Sequence, residues 1–271
     1  MKYKYQVLVS ALNAKDEQLY SEMNLSSNAI VINQCKDEKT NKVSMHGHDV
    51  VFIHSMERGV GKSRNLAIKN SEAEIIEFAD DDMIFVKDHE KLALSEFENH
   101  PEADIILFSL NSLNPQRPLL KISSFQRVGL RKAMKYGCAR IAVRSDKLLN
   151  SGVHFSELFG GGARYGSGED TLFLLNCLRA GLKIYESPIK IADVKQDTST
   201  WFNGYNEKYY RDKGALYAAM FPQRCYFYAI VTSVKRKSET FSRLHILKLY
   251  FEGIKDYKRE RATEGVYNNK Y

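Results

Sequence analysis

The first 110 residues alternate between short apolar runs and stretches with helical periodicity. Runs rich in Val and Ile predict strands, and the amphipathic stretches between them predict helices. This alternation is typical of an α/β fold wound around a mainly parallel sheet. The predicted strands are residues 6–11, 29–34, 50–54, 75–79 and 104–110, and the predicted helices are residues 16–23, 62–71 and 88–100.

The pattern after residue 110 is less regular. Residues 111–120 carry two of the five prolines and predict a loop. Residues 159–168 hold five glycines, which predicts a mobile loop leading into a helix. The remaining predicted elements are helices over residues 127–135, 171–180, 204–221 and 241–258, and a strand over residues 139–144.

Length and charge predict one main domain with a basic extension. The chain has 271 residues, of which 44% are hydrophobic, enough for a substantial core. Residues 1–202 hold 26 basic and 26 acidic side chains, whereas residues 203–271 hold 14 and 7, so the net charge of +7 lies in the tail. We therefore predict a domain over residues 1–202, divided near residue 110, and a basic helical extension over residues 203–271.

The apolar runs and the cysteines favour a cytoplasmic protein. No apolar run approaches the roughly 18–20 residues that cross a bilayer. The four cysteines form no CxxC pair, which favours reduced thiols. In the tail, the apolar residues 226–231 are followed by the basic residues 235–237. This leaves two interpretations open, either peripheral contact with an anionic membrane or packing on the core with solvated charges. No motif for nucleic-acid binding is present, and no nucleic-acid partner is expected.

Three adjacent carboxylates, Asp80, Asp81 and Asp82, directly follow the apolar run 75–79. Ligands of open α/β sheets bind at the carboxyl ends of the strands. Mutually repelling carboxylates gain stability from a cation, and oxygen ligands suit Mg²⁺ or Mn²⁺. The alternative is a solvated acidic turn, and the position after a buried strand favours the metal site.

A second acidic pair, Glu169 and Asp170, begins the helix that follows the glycine-rich loop. Capping of the helix N-terminus would explain a carboxylate there. A glycine-rich loop also suits closure over a substrate, and a carboxylate at its rim can accept a proton from an attacking hydroxyl.

Two other patterns carry less weight. Residues 59–63 resemble part of a phosphate-binding loop, but Met56 stands where the first glycine is required. His46, His48 and His54 are expected to be solvated rather than metal ligands.

Four segments, taken together, resemble glycosyltransferase family 2, of the inverting type with the GT-A fold. They are YQVLVSALN (5–13), GVGKSRNLA (59–67), FADDDM (78–83) and GEDTLF (168–173). The resemblance covers about residues 5–192. Within the family, the chain is most similar to non-processive members that build bacterial surface polysaccharides. This resemblance implies a single Rossmann-like GT-A domain with a mixed, mainly parallel sheet, divided into a nucleotide-sugar half (1–110) and an acceptor half (111–202).

The resemblance implies a metal-dependent hexosyltransferase with a nucleotide-diphosphate sugar as donor and a glycan or lipid-linked hydroxyl as acceptor. Asp80 and Asp82 would hold Mn²⁺ or Mg²⁺, Asp170 would be the general base, and Glu169 would orient the acceptor or Asp170. The implied donor-binding residues are Ser10, Asn13, Asn33, Arg64, Asn65, Asp80 and Asp81.

The sequence departs from the family pattern at two places. Asn33, Gln34 and Cys35 stand where many members have Asp-Asp-Gly-Ser, in which an Asp contacts the base of the donor nucleotide. The identity of the nucleotide base is therefore less defined, and a UDP-sugar is the first expectation. Residues 196–201 (QDTSTW) lack the Arg of the processive motif, which favours transfer of a single sugar. Two other functions stay open: a non-catalytic carbohydrate-binding or scaffold protein of this fold, and a nucleotidyltransferase.

Overall fold

The structure is a computed structural model that describes residues 1–196, 204–236, 238 and 240–263. Its strands are β1 (Tyr3–Leu12), β2 (Ala29–Gln34), β3 (Lys39–Met45), β4 (His48–Ser55), β5 (Ala73–Asp80), β6 (Met83–Phe85), β7 (Ile105–Ser112), β8 (Gln126–Arg127), β9 (Ile141–Arg144) and β10 (Ile184–Val194). Its helices are α1 (Asp16–Glu22), α2 (Val60–Asn70), α3 (His89–Asn99), α4 (Leu130–Ala133), α5 (Ser145–Ser151), α6 (Glu169–Arg179), α7 (Glu207–Met220), α8 (Cys225–Lys235) and α9 (Arg243–Thr263).

All ten described strands join one mixed sheet. Its order is β3-β4-β2-β1-β5-β9-β7-β10-β6, with β8 paired to β10. Strands β4, β2, β1 and β5 run parallel, while β9 lies antiparallel between β5 and β7. The α/β class and the mixed sheet predicted from the sequence are confirmed.

Helices cover both faces of the sheet, so alternate residues of the central strands enter two separate cores. On one face Tyr5 and Val7 pack with α1 and α3. On the other face Leu8 and Phe78 pack with α2, α5 and α6. Because strand side chains alternate between faces, both cores require the nearly continuous apolar runs seen in β1 and β5.

Some elements differ from the predicted pattern. Strand β3 is almost wholly exposed and polar, so it has no apolar alternation to reveal it. Strand β10 contains Pro188 and two irregularities in its pairing with β7, which interrupt the strand signal. The helix predicted over residues 127–135 is instead β8 followed by the four-residue α4. The predicted boundary at residue 202 and most of the segment 196–201 lie outside the described residues.

The C-terminal helices pack together and against the glycine-rich loop. Helices α7 and α9 cross closely at two glycines, since a Cβ on Gly214 would overlap the carbonyl of Tyr250 and one on Gly253 would overlap that of Arg211. Phe159 of the glycine-rich loop is buried in a cluster with side chains of α6 and α7. None of the described helices is both long and apolar enough to cross a membrane.

Candidate active site

The carboxyl ends of four parallel strands define one edge of the sheet. Ser10 of β1 lies opposite Asp80 of β5, and Asn33 of β2 lies opposite His54 of β4. The hydroxyl of Ser63 in α2 donates a hydrogen bond of 2.9 Å to the hydroxyl of Ser10 and fixes its position. The acidic triplet predicted from the sequence therefore stands beside the end of β1, where an α/β sheet binds its ligands.

Arg64 of α2 joins the two acidic motifs. Its Nη2 donates to Asp80 Oδ1 over 2.9 Å, and its Nη1 donates to Asp170 Oδ1 over 2.7 Å. The side chain is only 4% exposed, and its guanidinium lies over the ring of Phe155 at 5.2 Å from the centroid. A planar guanidinium presents donors in a fixed fork, so one buried side chain can set the relative positions of both carboxylates.

Glu169 completes this cluster from the first turn of α6. Its Oε1 lies 3.3 Å from Arg64 Nη1, and its Oε2 accepts from the backbone N–H of Gly168 over 3.1 Å. Both carboxylate oxygens are thus engaged, which fits a positioning role better than proton transfer.

The electrostatics of the cluster raise the pKa of Asp170 above its ordinary value. Burial is the main cause, and the nearby charges of Glu169 and Asp80 act in the same direction. Arg64 and the backbone N–H of Cys138 oppose the shift. A carboxylate with a raised pKa is a stronger base, which is the property that proton abstraction from a hydroxyl requires.

The glycine-rich loop is packed in a specific conformation. Gly160 and Gly168 have φ of 108° and 119°, in the region that favours glycine. A Cβ on Gly160 would overlap Glu169, and one on Gly168 would overlap Leu216 of α7. The backbone of Tyr165 both accepts from Gly160 over 2.8 Å and donates to Leu158 over 2.9 Å. The expected mobile loop is therefore a folded turn in this structure, and its glycines allow close approach of the chain to Glu169.

Asp80 and Asp82 have the donor chemistry of a divalent-cation site. Burial, followed by the charges of Asp80 and Asp81, raises the pKa of Asp82 to about 6. A bound cation would offset the repulsion between the negative charges of Asp80, Asp81 and Asp82. No group of three or more His, Cys, Asp or Glu side chains in the described ranges could form a complete metal site. One or two carboxylates suffice for Mg²⁺ or a similar ion when substrate phosphates supply further oxygens. Asp80 Oδ1 is paired with Arg64, and the chemistry of the remaining carboxylate oxygens of Asp80 and Asp82 fits such an ion.

Asn33 and Asn65 hold backbone segments. The Asn33 amide accepts from Ala14 N over 3.0 Å and donates to Ala14 O over 2.7 Å. Asn65 forms the same two-way pair with the backbone of Phe155, both at 2.9 Å. Each amide NH2 also lies 3.4 Å from a carboxylate oxygen, of Asp16 for Asn33 and of Glu157 for Asn65. Both amides therefore fix the loops around the site. Asn13 is exposed after β1, with φ of 51°.

His54 was expected to be solvated, and this expectation is wrong. Its Nε2 lies 2.8 Å from both carboxylate oxygens of Asp16, and its Nδ1 lies 3.3 Å from Cys35 Sγ. The histidine side chain is 9% exposed. Asp16 and His54 thus border the site without having been predicted as part of it. Predicting this contact requires knowing that the end of β4 lies beside the end of β2, and the sequence does not give the order of the strands.

Comparison with solved structures identifies the fold. The chain superposes on S. aureus TarS 1–349 with a TM-score of 0.58 and 16% identity, covering 98% of this chain and 75% of that one. For TarS 1–349 in complex with UDP the TM-score is 0.60 at 16% identity, with 98% and 93% covered. For its complex with UDP-GlcNAc the values are 0.59 and 16%, with 98% and 76% covered. This chain has a GT-A-like fold. No protein-family model and no curated protein sequence matches it.

Within this GT-A-like fold, three of the four motif segments predicted from the sequence supply the charged cluster. Arg64 comes from the segment 59–67, Asp80 from 78–83, and Glu169 and Asp170 from 168–173. The fourth, 5–13, supplies Ser10 at the neighbouring strand end. Residues 106 positions apart in sequence are thus in direct contact.

Proposed function

We propose that this protein is a metal-dependent, inverting glycosyltransferase of the family 2 type that transfers one sugar from a UDP-sugar to an acceptor hydroxyl. The observation that carries the proposal is the Arg64 bridge, which holds the carboxylate Asp80 and the carboxylate Asp170 on either side of one guanidinium. Two carboxylates with different environments are what a donor site and a general base require. The likeness to TarS, which has been crystallised with UDP-GlcNAc, supports a nucleotide-sugar donor.

In the proposed reaction Asp170 accepts the proton of the acceptor hydroxyl. The hydroxyl oxygen forms a bond to the anomeric carbon, and the bond from that carbon to the diphosphate breaks. The attack occurs on the face opposite the diphosphate, so the configuration at the anomeric carbon inverts. UDP leaves with the electron pair of the broken bond. Glu169 and Arg64 position Asp170, and Ser10 and Asp80 border the donor.

Asp80 and Asp82 are the residues that would hold Mn²⁺ or Mg²⁺. When bound, such an ion would supply positive charge where negative charge develops on the leaving diphosphate. Asp81 is engaged differently, since its carboxylate accepts from the backbone N–H of Leu12 over 3.1 Å. We assign it to shaping the turn between β5 and β6.

The test compares wild type with Asp170→Asn, Asp82→Asn and the control Asp146→Asn. Asp146 lies exposed in the first turn of α5, away from the cluster. UDP release from a panel of UDP-sugars is measured with candidate glycan and lipid-linked acceptors. Loss of the general base is expected to lower turnover by about 10²–10⁴-fold while UDP binding persists. Asp82→Asn should lose turnover and metal-dependent UDP binding together.

The outcomes separate the alternative functions. Release of pyrophosphate from a nucleoside triphosphate would indicate a nucleotidyltransferase. Sugar binding without turnover of any donor would indicate a binding protein. Wild-type turnover in Asp170→Asn would exclude this residue as the base.

A further inference from the structure

Helix α8 buries one face against the other C-terminal helices. Cys225, Ala229 and Ser233 are spaced four residues apart and are at most 2% exposed. Cys225 and Ala229 belong to the cluster that also contains Ile246 and Leu249 of α9. The small side chains on this face allow α8 to lie close to α9. This face therefore accounts for the packing of α8 within the extension.

The opposite side of α8 is apolar and exposed. Phe227, Ile230 and Val234 are 63%, 45% and 58% exposed, and their spacing of three and four residues aligns them on one side of the helix. We name these three residues the α8 face. Leu244, at the start of α9, is 80% exposed. A clustered set of large apolar side chains in solvent marks an interaction surface.

Basic residues dominate the sequence around the α8 face. Residues 224–248 hold six basic side chains and the single acid Glu239. Of these, Arg224, Lys235, Arg243 and Lys248 are exposed in the structure. Two copies of the chain meeting through this surface would bring like charges together, which disfavours that contact. An anionic surface would instead neutralise them.

We propose that the α8 face docks on an anionic lipid bilayer. Phe227, Ile230 and Val234 enter the boundary between headgroups and acyl chains, while the flanking Lys and Arg side chains contact lipid phosphates. This is the arrangement of an interfacial amphipathic helix lying in the membrane plane. Under this proposal one face of α8 packs within the extension, as the packing interpretation expects, and the opposite face contacts the membrane. The inference is independent of the proposed function.

The position of the extension gives this docking a consequence. Asp212 of α7 accepts from the backbone N–H of Gly166 over 2.8 Å, and Leu216 of α7 contacts Gly168, which directly precedes Glu169 and Asp170. The helices that carry the α8 face are therefore packed against the loop that precedes Asp170. Docking would fix the orientation of this loop relative to the bilayer.

The test is co-flotation of the full chain with vesicles of phosphatidylcholine, with and without about one-third phosphatidylglycerol. Wild type is expected to bind only the anionic vesicles, and the bound fraction should fall in about 0.5 M salt because the charges are screened. The triple variant Phe227→Ser, Ile230→Ser, Val234→Ser should reduce the vesicle partition coefficient by about tenfold or more. The variant Lys235→Glu with Arg243→Glu should also lose binding.

Matched controls are Leu149→Ser, an exposed apolar residue of α5, and Lys42→Glu, an exposed lysine of β3. Both should bind as wild type does. Thermal melts of every variant establish that the fold is intact. Equal binding by wild type and the triple variant would overturn the proposal. Absence of wild-type binding to anionic vesicles would also overturn it. If, in addition, wild type sediments as a dimer and the triple variant as a monomer, the α8 face is an interface between copies of the chain.

Discussion

Glu77 lies on β5, three residues before Asp80, with none of its surface exposed. Its carboxyl accepts a hydrogen bond from the hydroxyl of Tyr5, which lies 3.4 Å from His89 Nδ1. Burial raises the pKa of Glu77 from 4.5 to about 8, against the opposing effect of the Tyr5 hydrogen bond. At neutral pH the folded protein therefore keeps this carboxyl protonated.

A pKa raised on folding makes stability fall with pH. The stabilising contribution is complete below the unfolded pKa of 4.5 and is lost as pH rises through the folded pKa of about 8. Between about pH 6.5 and 8 the loss is about 2 kcal/mol, because one pKa unit corresponds to about 1.4 kcal/mol. Glu77→Gln keeps a hydrogen-bond acceptor for Tyr5 but cannot ionise, so it should lack this decline.

The assay is thermal unfolding of wild type, Glu77→Gln and the control Glu74→Gln from about pH 6.5 to 9. Glu74 lies exposed on the same strand. Relative to Glu77→Gln, wild type should lose about 4–8 °C in Tm across this range, using about 2–4 °C per kcal/mol for a chain of this size. His89 and Tyr5 remain in both proteins, so their titration largely cancels in the comparison. Parallel curves for wild type and Glu77→Gln would refute the reasoning.

Three further outcomes are expected. Arg64→Lys keeps the charge but loses the fork that reaches Asp80 and Asp170 together, so turnover should fall about 10²-fold. The melting temperature should also fall, because a single ammonium leaves part of the buried carboxylate cluster without a partner, and a small loss of turnover would contradict the positioning role. The pKa of Asp170, the proposed base, is raised, so kcat/KM should fall about tenfold per pH unit below that pKa, and a profile that stays flat down to about pH 5 would exclude this assignment. Gly214→Ala should lower the free energy of unfolding, measured in denaturant, by about 1–3 kcal/mol, because its Cβ would overlap the carbonyl of Tyr250 in α9. The control Gly129→Ala, where a Cβ meets open space, should change the free energy of unfolding little.

The residues that the sequence predicted well are those whose signal is local. The run 75–79 followed by three aspartates specifies a buried strand ending in carboxylates, and the structure places Asp80 at the end of β5. Glu169 and Asp170 begin α6 as expected from the glycines before them. In both cases hydrophobic periodicity and helix-start chemistry act within about ten residues, so no knowledge of strand order is needed.

The interactions that were not predicted depend on contacts between distant segments. Nothing near Arg64 in sequence indicates that its guanidinium reaches Asp170, 106 residues later. The pairing of His54 with Asp16 likewise requires β4 to lie beside β2. Asn33 was predicted from its amide chemistry to bind the donor, and the sequence gives no sign that this amide also pairs with the backbone of Ala14. Residue type gives what a side chain can do, and the fold decides which partner it meets.

Arg64 shows why the site needs both halves of the chain. A guanidinium that is 4% exposed is stable only if its charge is compensated, because an unpaired buried charge is costly. Asp80 supplies one partner from the parallel strands, and Glu169 with Asp170 supplies the others from α6. Helix α6 is in turn fixed by the stacking of Phe173 on Phe155 at 4.0 Å and by Leu216 against Gly168. Because helix α7 of the C-terminal extension packs against the glycine-rich loop that precedes Asp170, the extension is part of the scaffold that positions Asp170.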